Sequence, residues 1–266
     1  MEIRNNRLIY NHLRYQTPYS YPQTFMKHTH NMYEIIFFEK GEATYVIEDR
    51  KYQLKKNDLI FTRPFKYHYI EIKSNTEYSR FNILFDNSIV DKELTKRIPE
   101  EIEVLNCPKE SILADIFSRL DYYSAHFDEA EFTKLVTILL KELLYNLRLS
   151  GDNTMNIPKE SSSLLTQALN YINDNLFSIK SIKEVSAHCF VSEQYLFRQF
   201  QQQLKISPKK YLNTKRLLHA QKMIQKGKKP IEVYLLCGFE TYVGFYKQYV
   251  KTFGYPPSQE KQIKTL

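Results

Sequence analysis

Two histidines one residue apart, His28 and His30, are followed by Glu34 four residues after the second and by Gly41 seven beyond that, in the stretch HTHNMYEIIFFEKG. Imidazole nitrogens and a carboxylate so placed can ligate a divalent ion such as iron, nickel, manganese or zinc. Alternate side chains of an extended segment share a face, so His28, His30 and Glu34 fall on one side of it. The chemistry on offer is metal binding, with catalysis as its further consequence, or a polar lining that hydrogen-bonds a ligand. No glycine-rich phosphate loop, nucleophile elbow or other catalytic constellation accompanies the stretch.

The chain has 266 residues, long for one domain and comfortable for two, each with its own core. From residue 160 to the end 16 Lys and Arg stand against 7 Asp and Glu, a net +9, while the first 159 residues carry −1 of the total +8. So basic a half points to a polyanionic partner, and nucleic acid is the commonest in the cytosol. The start MEIRNNRLIY is polar and no apolar run reaches membrane-spanning length, so a cytoplasmic protein with no membrane partner is expected. Cys107, Cys189 and Cys237 are far apart and odd in number, which predicts buried thiols and neither a disulfide frame nor a zinc site.

Residues 30 to 86 have strand chemistry: MYEIIFF, ATYVIE, YQLKKNDLIFT, YHYIEI and RFNILF are short, rich in Ile, Tyr and Phe, and separated by turn residues. Strands so spaced predict a small sandwich or barrel. From about 109 to 149 apolar residues recur at three and four, as in Phe132, Val136, Leu139, Leu143 and Leu147, which predicts a helical hairpin covering it. Ile138 and Leu144 fall outside that stripe, which implies either surface left for a second subunit, a homodimer through the N-terminal domain, or packing wholly within the chain. The polar LSGDNTMNIPKESSS follows as a boundary, giving domains at 1–150 and 164–266 with a linker at 151–163.

The second domain reads as all-α, with two similar units. In the first, Ser181 and Ser192 each cap a short helix, HCFV makes the turn, and Leu196, Phe200 and Leu204 face inward. That is a helix-turn-helix, whose second helix enters the major groove of double-stranded DNA. Glu193, Gln194, Phe197, Arg198 and Gln201 are left outward, with Ser192 at the helix start; Arg and Gln bond guanine and adenine edges bidentately. In the second unit CGF supplies the turn, and Phe245, Tyr249 and Phe253 repeat the inward spacing. Between them Pro208 opens and Gly227 closes a helix of about 28 Å, able to set two readers in successive grooves.

The run FVSEQYLFRQFQQQLKISPKKYLNTKRLLHAQKMI, followed by CGFETYVGFYKQYVKTFGYPP, resembles the DNA-binding domain of the AraC/XylS family of bacterial transcription regulators. The resemblance covers about the last 100 residues and rests on positions such as Ser192, Arg198, Ser207, Pro208, Arg216, Gly238, Phe239 and Gly254. In the family's register the second reader offers Tyr242, Val243, Tyr246 and Lys247. Tyr234 departs from the family's small alanine, whose counterpart in the first unit is Ser186. Gly244 lies inside the presumed recognition helix, at about 1 kcal/mol relative to Ala. The second reader is expected to be the weaker and less specific.

The resemblance also implies a cupin-like N-terminal barrel that binds an effector, often a sugar. The opening stretch follows the cupin pattern, and RPFKYH supplies His68, completing the three histidines and a glutamate with which cupin enzymes hold a metal. Regulators of this family commonly keep such histidines without metal, and Pro22 and Asn57 stand where metal cupins have glycine. The expectation is therefore an effector site at His28, His30, Glu34 and His68, with no metal, cofactor or catalysis. The resemblance further implies an activator, with RNA polymerase as a partner. A metal-dependent cupin enzyme with a helical appendage, and a regulator whose barrel only dimerises or binds a partner, are the alternatives.

Overall fold

A computed structural model describes residues 1–5, 7–21, 25–150 and 164–260. The expected linker at 151–163 and Pro22 lie outside the described residues. The chain divides into two compact units, 1–159 and 160–266.

The first unit holds two antiparallel sheets. The six-stranded one runs β1 (Ile3–Arg4), β2 (Leu8–Tyr15), β8 (Tyr78–Phe85), β3 (Tyr33–Lys40), β6 (Asp58–Thr62) and β9 (Val104–Asn106); the other runs β5 (Arg50–Gln53), β4 (Ala43–Ile47) and β7 (His68–Ile72). YQLKKNDLIFT is thus two strands in different sheets, parted at a turn where Asn57 takes φ +68°. Asn is one of the few non-glycine residues that accepts this region, so it meets there the backbone demand of the glycine it replaces. Strand chemistry begins before residue 30: β2 pairs with β8 along its whole length. Its Asn11, His12 and Arg14 interrupt the apolar alternation that would have marked it.

β3 is buried on both faces, which is why EIIFF is continuous and not alternating. Ile35 and Phe37 pack with Phe81, Ile83 and Phe61 against the helical hairpin α2 (Ile112–His126) and α3 (Glu129–Leu149), which follows the short α1 (Lys92–Lys96). Ile36, Phe38, Ile60 and Tyr78 face the other way, against Tyr45, Ile47 and Ile70. Ser111 and Asp128 cap α2 and α3 by accepting from Ala114 and Glu131 N–H. Leu144, expected outside the apolar stripe, is fully buried, because the hairpin packs a face wider than one line of side chains. Ile138, Tyr145 and Leu149 are 61%, 53% and 79% exposed, and their spacing of seven and four sets them along one line of α3.

Among its described residues the second unit is helical: α4 (Leu164–Asp174), α5 (Ile182–His188), α6 (Glu193–Leu204), α7 (Pro208–Gln225), α8 (Pro230–Leu236) and α9 (Tyr242–Phe253). Ser192, Ser207 and Thr241 cap α6, α7 and α9 through their side chains, with Pro208 at the first position of α7. Leu196, Phe200 and Leu204 are fully buried, as are Phe245 and Tyr249; Phe253 is half-buried against the same core. The two turns share a construction: Val191 N–H donates to Ser186 carbonyl and Phe239 N–H to Tyr234 carbonyl, each at 3.0 Å. Each turn needs a left-handed residue, Phe190 at φ +55° in the first and Gly238 at +77° in the second. All three cysteines are buried and unpaired. No helix among the described residues is long and apolar enough to cross a membrane.

Arg216 of α7 ties the unit together. Its Nε donates to Leu176 carbonyl at 2.7 Å, Nη2 to Ile179 carbonyl at 2.6 Å and Nη1 to Gly238 carbonyl at 2.9 Å. An ammonium cannot reach three carbonyls in a plane. Arg216→Lys should therefore destabilise the helical unit by about 2 to 4 kcal/mol, measured as a shift of its urea midpoint. A pH effect follows from His219, also on α7, whose ring lies 5.3 Å from that of Phe177. Burial, with Lys215 and Lys222 adding, lowers its pKa from 6.5 to about 4. Above pH 6.5 both folded and unfolded forms are neutral. Between 6.5 and about 4 the unfolded form binds the proton first, so stability should fall across that window and level off below it. His219→Gln should remove this part of the acid sensitivity in melts run from pH 7.5 to 4.

Candidate functional site

Three separate stretches assemble the histidine pocket. Glu34 lies on β3 opposite Thr62, His68 opens β7, and His28 and His30 precede β3. The last two do not continue β3 as one extended segment: a bend at Asn31 and Met32 intervenes, and the convergence comes from side-chain and backbone bonds. His28 and His68 form an isolated antiparallel bridge, each N–H donating to the other's carbonyl at 3.0 Å. Phe65 N–H donates to His30 carbonyl at 2.8 Å.

All three rings turn Nδ1 to a backbone carbonyl: His28 to Met26 at 2.7 Å, His30 to Met32 at 3.0 Å and His68 to Lys66 at 2.8 Å. A ring nitrogen facing a carbonyl must carry the proton, so each neutral ring presents Nε2 as a lone pair. The ligand atoms of His28, His30, Glu34 and His68 all lie within 4.8 Å of one another. His68 Nε2 is 2.8 Å from Glu34 Oε2 and His30 Nε2 is 3.7 Å from it. Glu34 thus faces both nitrogens, closely at His68 and more loosely at His30. Tyr45 hydroxyl lies 3.3 Å from Glu34 Oε2 and 3.0 Å from Thr62 Oγ1.

His28 sits at the exposed rim, His30 is half-buried, and Glu34 and His68 are buried. Crowding of its ring by protein, with His68 facing it, lowers the His28 pKa. For Glu34 burial opposes ionisation, but His68 and His30 at close range outweigh it and hold the carboxyl well below its usual range.

The same interior contains polar groups that sequence reading did not single out. Arg80 is 5% exposed, its guanidinium 5.9 Å from the rings of Phe25 and Tyr78, and its Nε has no hydrogen-bond partner. Tyr78 hydroxyl and the side-chain oxygens of Asn11 and Asn82, paired across β2 and β8, are likewise unmatched. The available signal was a charge at an inward position of the apolar run YSRFNILF.

On the first helix-turn-helix, Ser192, Glu193, Gln194, Phe197 and Arg198 are exposed and Gln201 is half-buried. Ser192 hydroxyl accepts from Tyr195 N–H at 3.2 Å, and the Arg198 guanidinium lies 5.5 Å over the Tyr195 ring, a neighbour the pattern did not single out. On the second, Val243, Tyr246 and Lys247 are exposed. Tyr242 is not: it is half-buried and packs against the core, with Tyr234 edge-on at 5.7 Å. Tyr234 thus does not swing into solvent: its half-buried ring packs against that core beside Tyr242.

A family of AraC-like ligand binding domains matches residues 13–147, and a helix-turn-helix domain family matches residues 185–262. The HTH-type transcriptional activator RhaR of Escherichia coli O139:H28 is 25% identical over 264 residues, covering 92% of this chain and 90% of its own length. RhaR of Shigella dysenteriae serotype 1 is 26% identical over 271 residues, with the same shares. Among solved structures, ToxT from Vibrio cholerae O395 covers 98% of this chain and 99% of its own at 12% identity and a TM-score of 0.40.

The packing of Tyr234 generates a test. If its ring fills space that would otherwise be a cavity, Tyr234→Ala should destabilise the helical unit by about 1 to 3 kcal/mol in urea denaturation. Stabilisation by the smaller residue would mean that the site is overpacked.

Proposed function

The chain belongs to the AraC/XylS family of transcription regulators, and from this premise we propose that it activates transcription by reading an operator unequally with its two helix-turn-helix units, under the control of a small effector in the barrel. The observation that carries the reading is the exposed polar face of α6 beside the half-apolar face of α9, on a half of the chain with a net charge of +9. Gln194 and Arg198 supply bidentate base contacts, and Ser192, Glu193, Phe197 and Gln201 surround them. Val243 and Tyr246 can touch a thymine methyl but cannot make bidentate bonds, and Lys247 meets phosphate. Tyr242 supports that face from behind.

The effector site centres on His28, His30, Glu34 and His68. The activator sense is taken from the relatives, which are activators. RNA polymerase is the partner an activator needs, and the exposed line Ile138, Tyr145 and Leu149 suits a second copy of the chain.

Genome-wide mapping of bound sites, followed by a base-by-base scan of the operator, tests this reading. Arg198→Ala should cost about 1 to 3 kcal/mol on the specific site and much less on random DNA. Lys247→Ala should weaken binding to all sequences alike and flatten the salt dependence by about one unit of slope. Equal base penalties in both halves of the operator would overturn the unequal assignment.

A further inference from the structure

We propose that the barrel takes a hydroxylated carboxylate, a small acid with hydroxyls along its carbon chain, whose carboxylate meets Arg80 and whose hydroxyls donate to Asn82 and Asn11. The inference deepens the effector reading given above and rests on it. Arg80 projects from β8 towards the three-stranded sheet, because Phe81 beside it packs on the opposite face against the hairpin. Its register partners are Leu13 on β2 and Phe38 on β3, both apolar. The rings of Phe25 and Tyr78 stand 5.9 Å from the guanidinium, whose Nε lacks a well-aligned hydrogen bond. Glu34, whose charge also bears on Arg80, already faces His68 at 2.8 Å, the Tyr45 hydroxyl at 3.3 Å and His30 at 3.7 Å. A guanidinium stays charged however deeply it is buried, and Nε with one Nη forms a fork that fits the two oxygens of a carboxylate. A carboxylate brought there supplies the countercharge and the acceptors that the aromatic walls lack.

The neighbouring groups set the rest of the molecule. Asn82 stands two residues on along β8, about 7 Å away on the same face, and is the register partner of Asn11 on β2. The side-chain oxygens of both are buried and short of a donor. The Tyr78 hydroxyl, two residues the other way, has no well-aligned partner either and is placed to donate to the acid. Donors thus lie at one end of this face and acceptors at the other. A ligand that answers the order carries an anion at one end and O–H groups beyond it. A neutral polyol would leave the buried charge unanswered, and an acid without hydroxyls would leave the amide oxygens unmatched, each with the penalty of an unsatisfied buried group.

Binding is measured on the full-length chain without DNA, by calorimetry and by melting temperature, with gluconate and galacturonate as probes at millimolar concentration. Glucitol and galactose test the need for the charge, and hexanoate tests the need for the hydroxyls. Each hydroxy acid should fill a single saturable site and bind more than about 10-fold tighter than its uncharged counterpart or hexanoate. Arg80→Lys, which keeps the charge and loses the fork, and Asn11→Ala should each weaken the hydroxy acids by a similar factor, and Asn11→Ala should leave hexanoate unchanged. Far-UV circular dichroism shows which variants are folded; should Arg80→Lys not fold, Asn11→Ala and the uncharged probes decide. Failure of both hydroxy acids to bind would overturn the proposal, as would polyol or hexanoate binding of equal strength, or acid binding indifferent to the substitutions. If the chain binds DNA while neither acid binds, this ligand class falls and the regulatory reading stands. If an acid binds through Arg80 in a chain without affinity for DNA, the site stands and the regulatory reading falls.

Discussion

The helical unit depends on one buried guanidinium. The carbonyls of Leu176 and Ile179 lie between α4 and α5, and that of Gly238 lies in the turn between α8 and α9. These groups fall outside helical ladders and would be costly to bury unmatched. Arg216 satisfies all three at once, and so refers both helix-turn-helix units to the one helix that carries it. Burial lowers its pKa, but a guanidinium stays protonated, so the tie keeps its charge. The tie also dictates Gly238: a Cβ there would stand 2.6 Å from Phe177 carbonyl and 3.0 Å from the Arg216 guanidinium, at a φ that L side chains avoid. α7, about 27 Å long, thus stands between the two helix-turn-helix units and carries the residue that ties them.

The units built on that frame are alike in backbone and unlike in surface. Ser186 is small and buried, while Tyr234 at the equivalent place packs its ring against the core beside Tyr242. The proposed inequality of the two readers would follow from this packing as well as from residue types.

The barrel shows the complementary pattern. Its six-stranded sheet is apolar towards the hairpin, but towards the three-stranded sheet it mixes Ile36, Phe38 and Ile60 with Glu34, Arg80 and Asn82. Among the described residues, buried polar atoms of Asn11, His30, His68, Tyr78, Arg80 and Asn82 that lack a well-aligned hydrogen bond collect in this interior. Native proteins keep such atoms few, because each costs about 1 to 3 kcal/mol. Their concentration on one face accords with the effector site proposed there.

By itself the sequence determined what local chemistry can dictate: serine caps before apolar spacings of four, the basic charge of one half, the apolar periodicity of the hairpin, and a histidine motif whose residue types named its chemistry. It did not reveal β2, because the partner that makes Asn11, His12 and Arg14 a strand is β8, some seventy residues away. It misplaced Leu144, since the width of a buried face depends on what packs against it. It could not say that Tyr242 packs half-buried beside Tyr234 across the helix pair, nor that Arg80 is buried among aromatic rings. Above all, spacing gave two histidines and a glutamate and the family resemblance added His68, but only the tertiary structure decided which ring nitrogen each histidine has left. That depends on three backbone carbonyls whose positions are set by a bend, a bridge and a loop, and it turns a list of polar residues into a converging set of lone pairs.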